Sequence, residues 1–227
     1  MQKKIPEYSG VLRSHTLSVP DTIYQCSGIV IFGKRIKSLV FSTDVAIINN
    51  INADAVIAVY PFTPQPVISQ AIIEVSNVPV FVGVGGGVTG GERSVRLAET
   101  AENQGAFAVV VNAPIDPQII TQIKTKIDIP VVATIVSDKQ DIDRRIQAGA
   151  DILNVAASTK TPELVRIIRE KYPDFPIIAT GGSTDESISE TIAAGANAIT
   201  YTPPSNGEVF AESMRKYRER YNNISNQ

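Results

Sequence analysis

The chain lacks tryptophan and has only one cysteine, Cys26, and one histidine, His15, among its 227 residues. A single cysteine cannot form an internal disulfide, and one histidine with one cysteine cannot assemble a zinc site of the usual kind. We expect His15 in a surface or capping role. The sequence therefore predicts no metal site and none of the disulfides that stabilise small secreted proteins.

Long apolar runs and an excess of charge are also missing. No stretch approaches the roughly 18 consecutive apolar residues of a transmembrane helix, and the N-terminus MQKKIPEYSG has no apolar core of a signal peptide. The formal net charge is −2, which gives no long-range attraction to phosphate backbones. We expect a cytoplasmic protein with neither nucleic acid nor membrane as a partner, and with its helix arginines on solvated faces, Arg145 and Arg169 included.

Leucine is scarce, with 6 residues against 30 isoleucines and 24 valines. Such β-branched side chains favour strands, because their stiff side chains suit a pleated, buried surface. Eight short apolar runs follow one another, at 38–42, 55–60, 80–84, 106–112, 131–134, 151–156, 177–180 and 198–202. Most are continuous rather than alternating in polarity, which is typical of parallel strands buried on both faces.

Residues that start and end helices stand between the runs. Side chains able to accept from helix N–H groups follow the strands, and we interpret them as caps: Asp44, Asp116, Asp138, Thr161, Ser183 with Glu186, and Asp185. Glycines able to adopt a left-handed conformation precede the next strand at Gly105, Gly149 and Gly195. The chain thus alternates strand and helix.

The strand and helix unit is also repeated. PVVATIVSDKQDIDRRIQAGADILNVAAS from Pro130 aligns without gaps on PIIATGGSTDESISETIAAGANAITYTPP from Pro176, 46 residues later. Eight such units predict an α/β fold, a single (β/α)8 TIM barrel over residues 37–227. An open doubly wound sheet is the alternative.

Residues 1–36 do not follow this repeat. A strand is predicted at 27–32, with a tight turn at Gly33-Lys34 that leads into the first barrel strand. We expect this N-terminal extension to pack as a lid or hairpin over the floor of the barrel, where the strands begin, within one domain overall. Small barrels also pair through their outer helices, so a homodimer is possible.

Barrel enzymes carry their chemistry at the mouth, where the carboxyl ends of the strands meet. Here the predicted strand ends offer amides and hydroxyls but no lysine, glutamate or histidine. The candidate polar residues of the mouth are Asn112, Thr134, Asn154, Ser158 and Tyr201. Asp44 directly follows the first strand, so it is the candidate acid or base, although a helix cap is the simpler role for it.

Two glycine-rich loops follow the third and seventh strands, GVGGGVTGGERS at 83–94 and ATGGSTDES at 179–187. Glycine lets a backbone approach a ligand closely, and the N–H groups of such a loop and of the next helix can hold a phosphate. Arg93 could add a cation to the first loop. The plainer explanation is that these glycines only permit tight turns. The candidate phosphate ligands are Gly85, Gly86, Gly87, Thr180, Gly181, Gly182, Ser183 and Ser205.

PVFVGVGGGV and PIIATGGS, each followed by a helix and a Gly-Ala pair, resemble the phosphate-binding quarters of the ribulose-phosphate-binding barrels. The resemblance is especially to the histidine-biosynthesis isomerase and cyclase pair, over roughly residues 38–205. The resemblance implies a bisphosphate ligand, with one phosphate at Gly85–Gly87 and the other at Gly181, Gly182 and Ser183. The family's aspartate on the fifth strand is missing, since Thr134-Ile135-Val136 stands there.

Three functions remain open. The first is an isomerase, lyase or hydrolase that acts on a small phosphorylated metabolite without a cofactor, with Asp44 as acid or base. The second is a ligand-binding or regulatory barrel without catalysis, which the uncharged mouth favours. The third is a flavin-binding oxidoreductase with FMN, because ATGGSTDES also resembles the seventh-strand motif of flavin barrels such as nitronate oxidases.

Overall fold

A computed structural model describes residues 16–224 together with Pro6, Tyr8 and Gly10; His15 lies outside the described residues. The strands are β1 (Ile29–Ile31), β2 (Lys34–Ile36), β3 (Ser38–Phe41), β4 (Ala55–Ala58), β5 (Val80–Gly85), β6 (Ala108–Val111), β7 (Val131–Ile135), β8 (Ile152–Val155), β9 (Ile177–Thr180) and β10 (Ala198–Tyr201). The helices are α1 (Val45–Ile48), α2 (Pro66–Val75), α3 (Glu92–Asn103), α4 (Pro117–Lys124), α5 (Ile142–Gln147), α6 (Thr161–Lys171), α7 (Asp185–Ala193) and α8 (Asn206–Ile224).

Strands β3 to β10 form a closed parallel barrel in sequence order. The closing pair joins β10 to β3, with Ile199 opposite Ser38 and Tyr201 opposite Val40. An open sheet would leave both of these strands as unpaired edges, so the (β/α)8 barrel is confirmed and the open-sheet alternative is wrong. All eight predicted strands are present, with ends that differ from the predicted ones by at most two residues.

Alternate residues of each strand belong to two separate cores. Leu39, Ile57 and Phe81 lie in a cluster that fills the barrel, whereas Val40 and Val56, their neighbours in sequence, lie in a cluster under the helices. Because successive side chains of a strand point to opposite faces, both faces of the sheet are buried. This explains why the apolar runs are continuous in sequence.

The β1–β2 hairpin lies against the floor of the barrel. Ile29, Ile31 and Ile36 belong to the same buried cluster as the inward residues of the barrel strands. The turn at Phe32 and Gly33, which have φ angles of +46° and +79°, leads into β2. The prediction that this turn leads directly into the first barrel strand is therefore wrong, and a second hairpin strand intervenes. The division of the chain into domains at residue 37 stays a prediction.

The segment before the hairpin packs on the outside of the barrel. It contains a short 3-10 helix, Asp21–Gln25, and buries Val19, Ile23 and Cys26 in the outer core. Thr22 Oγ1 donates to Asp185 Oδ1 at 3.1 Å, at the start of α7. On the other side, Leu17 pairs with Ile51 after α1. The segment therefore fills the outer groove between α7 and α1.

The last helix is packed differently from the others. Between residues 206 and 222 every side chain of α8 is exposed or half-buried. The N-terminal segment supplies the apolar side chains that a final barrel helix would otherwise bury. Among the residues described, no helix is long and apolar enough to cross a membrane.

Two of the predicted caps are confirmed. Asp44 Oδ1 accepts from the N–H groups of Ala46 and Ile47, and Asp116 Oδ1 accepts from Gln118 N. Gly105, Gly149 and Gly195 have φ angles of +95°, +106° and +111°, as the ends of the preceding helices require.

Four predicted caps are wrong, because the helices begin one to three residues away. Asp141 caps α5 instead of Asp138, and Thr184 with Ser187 forms the capping box of α7 instead of Ser183 with Glu186. Asp185 is the first residue of α7, and Thr161 is the first residue of α6, with its Oγ1 accepting from Ala157 N at 3.0 Å. Boundaries of this precision depend on packing rather than on residue type.

The expectation that the helix arginines are all solvated is wrong for two of them. Arg145 is 6% exposed and donates to the carbonyl of Ala113. Arg169 donates to the carbonyls of Tyr172, Pro173, Phe175 and Gly195 at 2.6–3.2 Å. Burial lowers the pKa of both guanidinium groups. They satisfy loop carbonyls that no helix or strand would satisfy.

Candidate functional site

Polar side chains line the inside of the barrel at its mouth. Each lies two residues beyond an apolar side chain of the inner core, so it points into the barrel as well. We call these five residues the polar ring: Asn112, Thr134, Asn154, Thr180 and Thr200. The barrel interior thus changes from apolar at the floor to amides and hydroxyls at the mouth.

Three of the five ring residues are deeply buried, and their hydrogen bonding is incomplete. Thr134, Asn154 and Thr200 are 7%, 8% and 6% exposed. Asn154 Nδ2 donates to Thr134 Oγ1 at 3.3 Å. Asn154 Oδ1 and Thr200 Oγ1 are buried without a partner among the described residues. Unpaired buried polar atoms of this kind are rare and destabilising, so they mark a place for a ligand or an ordered water.

A cavity of about 320 Å³ opens beside the ring, between the loops that follow β4 and β5. Asn112 and Gly83 line it from the barrel, and Tyr60, Gly87 and Thr89 line it from the loops. This volume lies within the usual range for small-molecule sites.

Two of the glycines predicted to bind phosphate are required by the protein's own packing. A Cβ on Gly86 would lie 2.6 Å from the carbonyl oxygen of Asn112, and the Gly86 N–H already donates to Thr89 O at 2.8 Å. Gly85, at a φ of +135°, would place a Cβ against the Ser94 hydroxyl. Gly87 has nothing within 4 Å of such a Cβ and faces the cavity. Gly85 also lines the cavity, but Gly87 is the one of the three glycines that internal packing does not require.

Thr89 is the polar residue of this loop that sequence analysis missed. Its side chain is 5% exposed, lines the cavity and has a hydroxyl oxygen without a partner in the described structure. The next residues begin α3, whose N-cap Gly91 has no side chain to cap the helix. The N–H groups of Glu92 and Arg93, in the first turn of α3, have no helical partner and point toward this end of the barrel, whereas Ser94 N donates to Gly91 O.

The loop after β9 is built differently. Gly181 is buried, and a Cβ there would lie 2.8 Å from Ile199 Cγ2, so packing requires glycine. Gly182 has a φ of +82°. Gly182 and Ser183 are exposed, just ahead of the Thr184 cap of α7. The structure therefore leaves the backbone of this loop accessible at the start of a helix.

A second cavity of about 550 Å³ adjoins the first and shares Tyr60 and Asn112 with it. Asp44 and Ser205 lie on its wall. Asp44 is half-buried and uses Oδ1 as the cap of α1. Ser205 donates from its N–H and hydroxyl to Glu208 Oε2 at 2.8 and 2.7 Å, and these bonds lower the pKa of Glu208. Both predicted residues thus reach the mouth while serving as helix caps.

Two predicted residues do not join this arrangement. Tyr201 packs against the outer core beneath the helices, because it lies one residue out of phase with the inward Thr200. Ser158 is exposed on a 3-10 helix with a φ of +56°. Thr200 was missed, although the repeat contained the signal: Thr134 and Asn154 correspond to Thr180 and Thr200 at the 46-residue spacing.

Fold and site together define a (β/α)8 barrel whose mouth carries an uncharged polar ring, with Asp44 on the wall of the adjoining cavity. No family model matches the chain. A phosphonopyruvate hydrolase structure has a TM-score of 0.62 and 13% identity, covering 86% of this chain and 84% of that one. 2,3-Dimethylmalate lyase, of the PEP mutase/isocitrate lyase superfamily, has a TM-score of 0.61 and 15% identity, with coverages of 89% and 85%.

A further neighbour is the 4-hydroxy-tetrahydrodipicolinate synthase of the methanotroph Methylacidiphilum fumariolicum SolV. It has a TM-score of 0.57 and 12% identity over 73% of this chain and 67% of that one. In all, 545 solved chains match, as expected for a fold that supports many unrelated chemistries. At these identities the likeness shows the barrel fold alone.

A phosphonopyruvate hydrolase of this fold has been solved with oxalate and Mg²⁺. The described part of the present barrel mouth offers few carboxylate ligands for such an ion. Among its described residues, Asp44 is the one carboxylate on the wall of the larger cavity, and its Oδ1 is occupied by two helix N–H groups. No group of three or more acidic, histidine or cysteine side chains is placed to hold a metal within residues 16–224.

Proposed function

We propose that the barrel binds a small phosphorylated metabolite at its mouth, with the phosphate between Gly87, Thr89 and the first turn of α3. The observation that carries this proposal is the Thr89 hydroxyl, which is buried, unpartnered and on the wall of the 320 Å³ cavity. A phosphate oxygen would accept a hydrogen bond from this hydroxyl. The uncapped N–H groups and the positive end of the α3 dipole favour an anion at the same place.

Charged side chains contribute little to this site. Arg93 is exposed in the first turn of α3 and can reach an anion from the solvent side. A site of backbone N–H groups and hydroxyls with one peripheral cation suits a phosphate that stays partly hydrated.

The resemblance to ribulose-phosphate-binding barrels extends the proposal to a second phosphate. Gly182 and Ser183 present exposed backbone ahead of α7, across the mouth from the β5 loop. A bisphosphate would place one phosphate at each loop and its carbon chain over the polar ring. The β5 loop is the stronger of the two sites, because it alone combines a cavity with an unpartnered side chain among the residues described.

An isomerase, lyase or hydrolase activity would depend on Asp44 as the acid or base, with the polar ring polarising the substrate. A binding or regulatory barrel without catalysis is the second candidate. It is favoured by the geometry of Asp44, which caps α1 and has no second carboxylate beside it on the wall of the described cavity. Asp44→Asn distinguishes them: an enzyme loses turnover while keeping its ligand, and a binding protein changes in neither respect.

The proposed binding is tested by thermal unfolding of the purified full chain with inorganic phosphate and with a panel of phosphorylated metabolites. A ligand at about 100 times its Kd adds about 2.7 kcal/mol, which raises Tm by about 5–10 °C for a chain of this length. Thr89→Val should reduce the shift, because it removes the hydroxyl and keeps the shape.

Ser183→Ala is the matched control for a single phosphate, because its exposed hydroxyl lies at the other loop. If no phosphorylated compound shifts Tm, or if Thr89→Val shifts as strongly as the natural chain, the β5 site is wrong. A yellow protein with flavin absorbance as purified would replace this proposal with the FMN-dependent oxidoreductase.

A further inference from the structure

The polar ring contains no charged side chain, and two of its polar atoms have no partner. Thr134 and Asn154 form one hydrogen-bonded pair on β7 and β8. The 46-residue repeat places Thr180 and Thr200 at the equivalent positions on β9 and β10. The phosphate site described above uses none of these four residues, so the ring is a separate feature of the mouth.

We propose that the polar ring is a recognition subsite for the hydroxyl groups of the ligand, with Asn154 and Thr200 as its specificity-determining residues. The inference rests on the proposed binding of a phosphorylated metabolite and assigns the chemistry of its other end. That end is an uncharged, polyhydroxylated carbon chain rather than a carboxylate.

The donor and acceptor chemistry supports hydroxyl groups. Asn154 Oδ1 can only accept, so its missing partner is a donor, whereas the Thr200 hydroxyl can donate or accept. A hydroxyl group satisfies either atom. It also satisfies Asn154 with the amide reversed, since the unpartnered atom is then the nitrogen. A carbon chain with several hydroxyl groups can offer a partner to each residue.

The absence of positive charge from the ring disfavours a carboxylate. Burying an ionised carboxylate without a cation is costly, and hydroxyl or amide partners compensate only part of the cost. Arg145 is a buried cation near this end of the barrel but lies in the helix layer, where its Nη2 donates to the carbonyl of Ala113 and its Nη1 has no partner among the described residues. Asn112, a ring residue, lies on the wall of both cavities, and the smaller cavity extends from it to the β5 loop. The proposed ligand follows this wall from the phosphate subsite to the ring.

An ordered water is the competing explanation for the unpartnered atoms, because buried water often completes such bonding. The two explanations predict opposite effects of Thr200→Val. A structural water loses a partner in this variant, so the ligand-free protein becomes less stable. If the Thr200 hydroxyl has no partner in the ligand-free protein, replacing it with a methyl group breaks no hydrogen bond. Tm then stays unchanged or rises.

The experiment compares ligands by calorimetric titration of the full chain: inorganic phosphate, glycerol 3-phosphate, ribose 5-phosphate, and 3-phosphoglycerate, in which a carboxylate replaces a hydroxymethyl group. We expect the two hydroxylated phosphates to bind at least about tenfold more tightly than inorganic phosphate. Thr200→Val and Asn154→Leu should each remove about 3–10-fold of that gain, the usual range for one neutral hydrogen bond. Binding of inorganic phosphate should stay unchanged in both.

Thr200→Ser keeps the hydroxyl and should therefore restore the preference for hydroxylated ligands. It also controls for the case in which Thr200→Val weakens binding only because that variant folds poorly. Thr191→Val is the matched control, because Thr191 is equally buried but donates to Ser187 O within α7. It should change stability and leave the preference among ligands intact.

The outcomes separate this inference from the proposed function. If phosphate binds through Thr89 but hydroxyl groups add no affinity, or 3-phosphoglycerate binds as tightly as glycerol 3-phosphate, the ring assignment is wrong while the phosphate site stands. If no phosphate compound binds, the proposed function is wrong. Titration with ribitol, a polyol without a phosphate, then tests the ring assignment by itself. Ribitol binding that Thr200→Val abolishes supports the ring alone, and no ribitol binding overturns it.

Discussion

At the scale of single residues, burial decides what a side chain does in this barrel. Asn154, Thr200 and Thr89 are polar groups that the fold encloses without giving them a partner. Gly85 and Gly86 show the opposite case, since the contacts with Ser94 and Asn112 explain them without any ligand. A glycine-rich sequence alone does not distinguish these causes, because both need the same missing Cβ.

Cys26 permits a direct test of burial at this scale. It is 1% exposed beside the N-terminal segment, and burial raises the pKa of its thiol to about 11. Only the thiolate reacts with alkylating and disulfide reagents. We therefore expect the folded chain to react with Ellman's reagent at pH 8 at least about a hundredfold more slowly than the chain unfolded in guanidinium.

The same shift has a consequence for stability. The Cys26 thiol keeps its proton to higher pH in the folded chain than in the unfolded chain. The buried neutral thiol therefore costs no stability below about pH 9, and the free energy of unfolding falls as pH rises from there toward about 11. Cys26→Ser is the control, because it should remove both the reaction and this part of the pH dependence. Fast labelling of the native chain at pH 8 would contradict the packing of the segment against the barrel.

At the scale of elements, the same side-chain hydrogen bond between neighbouring strands recurs on the barrel floor. Asp54, Asp151 and Asn197 each directly precede a barrel strand, and each accepts from the N–H of the first residue of the previous strand, at 2.8–3.0 Å. Asp151 and Asn197 are equivalent in the 46-residue repeat. The repeat therefore preserves a strand-to-strand hydrogen bond as well as the apolar pattern.

Removing one of these acceptors should destabilise the barrel. Asp151→Ala leaves the N–H of Val131 and the ammonium of Lys124 without this partner, which costs about 1–3 kcal/mol and lowers Tm by about 2–10 °C. Asp151→Asn keeps an acceptor and should lose less. Asp128→Ala, on an exposed loop residue, serves as the control in the same thermal unfolding measurements. Equal Tm values for Asp151→Ala and Asp128→Ala would rule out this role.

The elements are also where sequence and structure agree best. All eight barrel strands were predicted, because runs of buried β-branched residues are a local signal. The shifted caps of α5 and α7 were not, since Asp138 and Asp141 are equally good caps and packing selects between them. Four of the five polar-ring residues were among the predicted site residues, Thr180 as a phosphate ligand. Thr200 was missed, because its neighbour Tyr201 was predicted to be the residue of β10 at the mouth, whereas Tyr201 packs against the outer core.

At the scale of the whole molecule, the N-terminal segment replaces the last helix in the outer layer of the barrel. Val19 and Ile23 are fully buried, whereas α8 has no fully buried side chain between residues 206 and 222. We therefore expect a chain that ends at Ser205 to retain the barrel fold, with a loss of Tm smaller than that caused by Ile23→Ala. That substitution should cost about 2–5 kcal/mol, because it leaves a cavity in the outer core.

Circular dichroism and thermal unfolding of the truncated chain, the Ile23→Ala variant and the natural chain test this order. The opposite order would mean that α8 stabilises the barrel through contacts that its exposed side chains do not suggest. The same proteins test the predicted homodimer, because sedimentation of the natural and truncated chains compares their masses directly. A dimer that becomes a monomer on truncation would assign α8 to the dimer contact, and a dimer that persists would place the contact on the barrel helices.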